Sequence, residues 1–143
     1  MDKQILLEER RLHNLIFRRL QRMSGSRGGR GYRLQGMIIA YLCERPDERI
    51  CQKDLEAEFF VRGSTMAEAL NQLEAAGYIE RRTSDDDRRL KIVRPTLKAT
   101  EAYAGMEDHI RRMEESLTRG VDPRDLAVYF EVVDKICNNL EAE

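Results

Sequence analysis

A mainly α-helical fold with one small β-hairpin is what the sequence predicts, and three observations carry that expectation. Apolar residues recur at helical spacing over most of the chain, one stretch switches to strand-like alternation, and glycine or proline falls between the segments. At 143 residues the chain has room for one domain with a true core but not for two ordinary ones. The hydrophobic fraction is 41% and the charged fraction 36%, which suits a helix-rich protein with much charged surface. With aromatics at 6% and no tryptophan, the core is expected from Leu, Ile, Met and Ala.

Each element follows in order. Residues 3–24 read as a helix, since Leu12, Ile16, Leu20 and Met23 keep one face. The segment from Ser24 to Gly31 holds four glycines in eight residues, too many for an element interior, and ends that helix. Residues 32–45 form a second helix with Leu34, Ile38, Tyr41 and Leu42 on one side, stopped before Pro46. A short third helix covers 51–60. The fourth runs from about Ser64 to Ala76, with Met66, Ala69, Leu70 and Leu73 as its apolar stripe and Gly77 placed to cap it. Residues 78–82 and 90–94 are two strands around the charged turn Thr83–Arg89. Residues 97–118 and 123–141 are long helices separated by Gly120 and Pro123. Tyr103, Met106, Ile110, Met113 and Leu117 make a coiled-coil-type seam on the first, and Leu126, Phe130, Val133, Ile136/Cys137 and Leu140 repeat it on the second.

Several function classes fall away. No apolar run approaches the roughly 20 residues of a membrane span, and the acidic N-terminus is unlike a signal peptide, so a cytoplasmic location is expected. No catalytic triad spacing, phosphate loop or metal motif is present, so neither an enzyme nor a cofactor or metal site is expected. His13 and His109 lie on different helices without ligand spacing. The Arg27–Gly31 segment lacks the strand and the Gly-Lys-Ser/Thr ending of a phosphate loop, and reads as a flexible linker whose arginines touch phosphate.

The order helix, short helix, turn, helix, hairpin is that of a helix-turn-helix followed by a wing. A helix fits the major groove of B-DNA and presents side chains to base edges, while a hairpin beside it reaches the minor groove. The fourth helix is the expected recognition helix, with Ser64, Thr65, Glu68, Asn71 and Gln72 on its solvent side. Ser64 and Thr65 are placed to cap the helix or meet phosphate, and Asn71 or Gln72 to pair with adenine. Arg88 and Arg89 are the expected minor-groove residues, with Asp87 orienting one of them. The net charge of −1 hides an asymmetry: residues 17–33 carry six arginines and no acid, whereas 95–143 have a local net of −5. Arg30 and Arg33 are therefore further candidates for phosphate contact.

These segments resemble the MarR family of bacterial transcriptional regulators. The resemblance rests on Gln52-Lys-Asp-Leu55, Ser64-Thr-Met66, Leu73-Glu-Ala-Ala-Gly-Tyr-Ile-Glu-Arg81, the wing Asp85-Asp-Asp-Arg-Arg89, and Val93-Arg-Pro-Thr96. It implies a sequence-specific regulator of transcription, a repressor released by an effector, that binds double-stranded DNA as a homodimer. Segments 1–31 and 97–143 would then be dimerisation helices and 32–96 a winged helix-turn-helix lobe, within one domain. It also implies that Asp87 and Arg89 are the pair that sets an arginine in the minor groove, and that a small aromatic or lipophilic effector lies against Leu15, Met37, Tyr41 and Tyr103.

Three positions depart from the family pattern. Glu68 stands where a basic or neutral residue is usual, Arg62 where Ser or Thr commonly caps the recognition helix, and Pro95 where an apolar residue follows the second strand. The recognition helix has no Lys or Arg, which predicts modest affinity or reading through phosphate, wing and shape, helped by the arginines of 17–33. Two other readings stand beside this one. A winged-helix protein-interaction module without DNA binding agrees with the acid-bearing helix. A thiol-based redox-sensing regulator would use Cys51, at a helix start, or Cys43, although unpaired cysteines are most often small buried apolar residues.

Overall fold

The computed structural model describes residues 2–24 and 30–142, except for the side chains of residues 23, 24 and 30–33. The elements run α1 (Ile5–Ser24), α2 (Arg30–Glu44), α3 (Gln52–Phe59), α4 (Gly63–Ala75), β1 (Ile79–Thr83), β2 (Lys91–Pro95), α5 (Leu97–Thr118) and α6 (Pro123–Glu141). No helix among the described residues is long and apolar enough to cross a membrane. The chain divides into two compact units, Met1–Arg33 and Leu34–Glu143. In the first, α1 leaves Ile5, Leu6, Leu7, Leu12 and Leu15 exposed, and the rings of His13 and Phe17 stack with centroids 6.5 Å apart.

The second unit is organised by the apolar stripe of α4. Met66, Ala69, Leu70 and Leu73 are buried against Ile38 and Leu42 of α2, Ile50, Leu55 of α3, Ile79 of β1 and Val93 of β2. Spacings of three and four put the stripe on one side of a helix, so burying it turns the opposite side outward. Asp54 closes the start of α3 by accepting the Cys51 N–H at 2.9 Å. That helix ends at Phe60 in a left-handed conformation, φ 49°, which an L side chain adopts only at some cost.

The hairpin pairs antiparallel, from Ile79 opposite Pro95 to Thr83 opposite Lys91. A third edge holds it to the lobe: the Val93 N–H donates to the Ile50 carbonyl at 2.7 Å, and Cys51 forms an isolated bridge with Ile92. Both strands start one residue later than the alternation predicts. Tyr78 is retained by the end of α4, its N–H donating to Leu73 O at 2.9 Å, with Gly77 at φ 83° making the reversal only glycine adopts freely. Leu90 is retained by the turn, its N–H donating to Asp87 O at 3.0 Å. Pro95, lacking an N–H, takes the last ladder position, where no donor is required. The second helix begins at Arg30 rather than 32, so its first turn includes Gly31.

The start of α5 is fastened to the end of α4. Thr96 Oγ1 donates to Gly77 O at 2.6 Å and accepts the Ala99 N–H at 3.4 Å. The Lys98 ammonium donates to Ala76 O at 2.6 Å, a cation at the negative end of α4. Asp122 caps α6 by accepting the Arg124 N–H at 2.8 Å, with Pro123 in the first turn.

Leu70 is fully buried at the centre of this core. Leu70→Ala is therefore expected to lower the unfolding free energy by about 2–5 kcal/mol in urea titration; a loss below about 1 kcal/mol would mean that the α4 stripe does not organise the lobe.

Candidate nucleic-acid interface

With its apolar stripe buried, α4 presents Ser64, Thr65, Glu68, Asn71 and Gln72, all exposed, at spacings that keep them on one outward face. Arg62 occupies the N-cap position in an extended conformation without a side-chain cap bond. The exposed first-turn residues Ser64 and Thr65 are thus left without a side-chain cap beside an exposed guanidinium, an arrangement suited to a phosphate, while the Glu56 carboxylate lies against Gly63.

The five polar residues are not equivalent. Arg81 of β1 donates through Nη2 to Asn71 Oδ1 at 2.7 Å and to Glu74 Oε1 at 2.8 Å. These bonds tie the recognition helix to the first wing strand, and the Arg81 hydrogen bond holds the Glu74 carboxyl below its ordinary range. The Gln72 amide pairs with that of Gln35 on α2. Reading adenine through a side-chain amide needs its oxygen and nitrogen together, and each of these amide oxygens already accepts one hydrogen bond. Glu68, between these pairs and the N-terminal turn, makes no hydrogen bond or ion pair among the described residues.

In the wing, Asp87 accepts from Arg89 three times, at its backbone N–H (3.0 Å), Nε (3.2 Å) and Nη2 (3.3 Å). The Arg89 side chain is 90% exposed despite this orientation, and Arg88 beside it is exposed as well. Ser84, buried at the neck of the turn, donates its N–H to Leu90 O at 2.8 Å and accepts the Asp86 N–H at 3.3 Å. Asp86 also pairs with Arg49 from the loop between α2 and α3. Sequence reasoning missed Arg49, Arg81 and Gln35. Arg49 and Gln35 each lie 37 residues from their partners, and no local pattern announces such a pair. Arg81 carried a weak signal, being the strand residue that alternates inward toward α4.

The side chains of Arg30 and Arg33 lie outside the described residues, as do residues 25–29 of the glycine-rich segment. Of the expected effector-contacting residues, Leu15 is exposed on α1, and Met37 is 47% exposed on α2. Tyr103 donates its hydroxyl to Glu44 Oε1 at 2.9 Å; burial and then that bond push its pKa up to about 12. Tyr41 is edge-on to Phe59 with centroids 5.7 Å apart and under the Arg45 guanidinium at 3.8 Å. It lines an open cleft of about 400 Å³ with Glu48, Arg49, Ile50, Asp54, Ala57 and Glu58. Three carboxylates against one guanidinium make that cleft a poor receptacle for a lipophilic molecule. Burial and then Glu44 push the Cys43 thiol up, and Cys51 Sγ donates to the Asp54 carboxylate at 3.2 Å.

Comparison with known proteins agrees with this geometry. A model of the MarR family matches residues 33–90, which span the second helix to the wing. The fold is similar to that of MepR of S. aureus in its DNA complex, with a TM-score of 0.77 at 16% identity over 96% of this chain and 99% of that one. The transcriptional regulator PA3341 gives 0.70 at 25% identity, covering 97% of this chain and 96% of its own. The transcription regulator MarR of Oenococcus oeni PSU-1 gives 0.70 at 21%, covering 89% and 98%.

The Arg89 hydrogen bonds, from side chain and then backbone, hold the Asp87 carboxyl below its ordinary value of 3.8. The pair's contribution to wing order is therefore complete above pH 3.8 and is lost as pH falls through the lower, folded midpoint. In an NMR titration the Asp87 midpoint should lie below 3.8 and rise toward it in Arg89→Ala; an unmoved midpoint would show that the two side chains do not interact.

Proposed function

We propose that this chain, whose residues 33–90 match a MarR-family model, is a DNA-binding regulator of transcription, acting as a homodimer in the cytoplasm. The single observation that carries this reading is the outward pairing of an uncapped recognition-helix N-terminus with an oriented, exposed arginine at the wing tip. The first suits phosphates and a major groove, the second a narrow minor groove of negative potential. Exposed Arg62, Arg82, Lys91 and Arg94 flank them and add charge for phosphate contact.

A second copy of the chain gives the outer helices their partner. No residue of α6 is buried in the protomer, and Val128, Tyr129, Phe130, Val132 and Leu140 are all exposed. A protein of this size does not leave so much apolar surface to water without a use for it. Two-fold pairing then sets two α4 helices against successive major grooves, about one helical turn (roughly 34 Å) apart, with wings in the flanking minor grooves. Repression relieved by a small aromatic or lipophilic effector belongs to the same reading. Met37 remains available to meet it, and the shift it causes would act on the separation of the two recognition helices.

Two measurements test this. Selection of bound sequences from random duplex DNA at two salt concentrations should yield a palindromic motif whose affinity falls steeply with salt. Arg89→Ala should cost about 1–3 kcal/mol on that motif, most of it at the flanking positions; no enriched motif, or an Arg89→Ala protein that binds as well, would contradict the reading. Phe130→Asp should convert the dimer to monomer in sedimentation while leaving helical content intact, and binding to the full palindrome should fall with it; a wild-type protein that sediments as a monomer would overturn the dimer.

A further inference from the structure

Glu68 lies at the middle of the outward face of α4, one turn after Ser64 and Thr65 and one turn before Asn71 and Gln72. If α4 enters a major groove, as proposed above, this carboxylate cannot stay at the rim. Phosphates repel it, so only a hydrogen-bond donor on a base edge compensates its desolvation. The groove offers two such donors, the amino groups of cytosine and adenine. In an A·T pair the amino group lies between two acceptors, adenine N7 and thymine O4, which repel an acceptor-only carboxylate; in a C·G pair guanine O6 is the one acceptor beside the cytosine N4 amino group, and the far side is the C5–H.

Resting on the DNA-binding reading, we infer that Glu68 is a specificity-determining residue that accepts a hydrogen bond from a cytosine N4 amino group in each half-site. Its neighbours support the assignment. The Asn71 and Gln72 amide oxygens are oriented toward Arg81 and Gln35, which leaves their N–H₂ groups as donors suited to guanine or phosphate, so among the outward polar residues of α4 Glu68 is the one that can only accept. The departure from a basic residue at 68 is then a change of base preference, not only a weakening of affinity.

The experiment repeats the duplex selection with wild type, Glu68→Gln and Glu68→Ala. Wild type should enrich a C·G pair at one position of each half-site, with replacement by T·A costing about tenfold in affinity. Glu68→Gln should turn that position toward A·T, because an amide matches the adenine donor–acceptor pair. Glu68→Ala should lose discrimination there and bind random duplex as well as wild type or better, having shed a negative charge. A wild-type motif without that cytosine, or a motif unchanged in both variants, overturns the assignment while leaving DNA binding intact. If wild type enriches nothing, the DNA-binding reading falls and the role of Glu68 with it.

Discussion

Burial of one helical stripe governs this protein. Met66, Ala69, Leu70 and Leu73 occupy the same side of α4 and are enclosed by residues from α2, α3 and the hairpin. A helix has only one remaining side to offer, so the polar residues of α4 face outward by geometry, whatever their chemistry. The same core contains Ile79 and Val93, one from each wing strand, so the hairpin and the helix that act together are rooted in one packed volume. Close packing makes their relative placement stiff, and stiffness is what presenting two protrusions to two grooves requires.

Polar contacts refine what packing sets. The Arg81 fork joins the middle of α4 to β1, the Arg49–Asp86 pair steadies the outer turn, and Asp87 aims Arg89. All are at the surface, where such pairs contribute little to stability. Their effect lies in orientation, since each restricts a long side chain that would otherwise sample many rotamers. The cost falls on chemistry: an amide oxygen that accepts from Arg81 has one lone pair fewer to offer a base.

Most of the fold was legible in the sequence, and the reasons are local. Helical period, glycine at 77 and 120, and the proline at 123 are signals carried within a few residues of where they act. Strand boundaries slipped by one because Tyr78 and Leu90 are claimed by neighbouring turns through backbone bonds that alternation does not reveal. The candidate site was half legible. The outward face of α4 and the Asp87–Arg89 pair followed from spacing, whereas the engagement of Asn71 and Gln72 depends on partners brought near only by folding. Tyr41 and Tyr103 meet different neighbours, Phe59 with Arg45 in one case and Glu44 in the other, and no local pattern announces either set.

In the proposed complex one duplex meets α4 and the wing tip at once. The most direct measurement is an amide NMR map of the protein as short random-sequence duplex is added at low salt. Perturbations should concentrate on residues 62–72 and 85–89 and fade together as salt is raised. Perturbations gathered on α6, or none at all, would contradict the account.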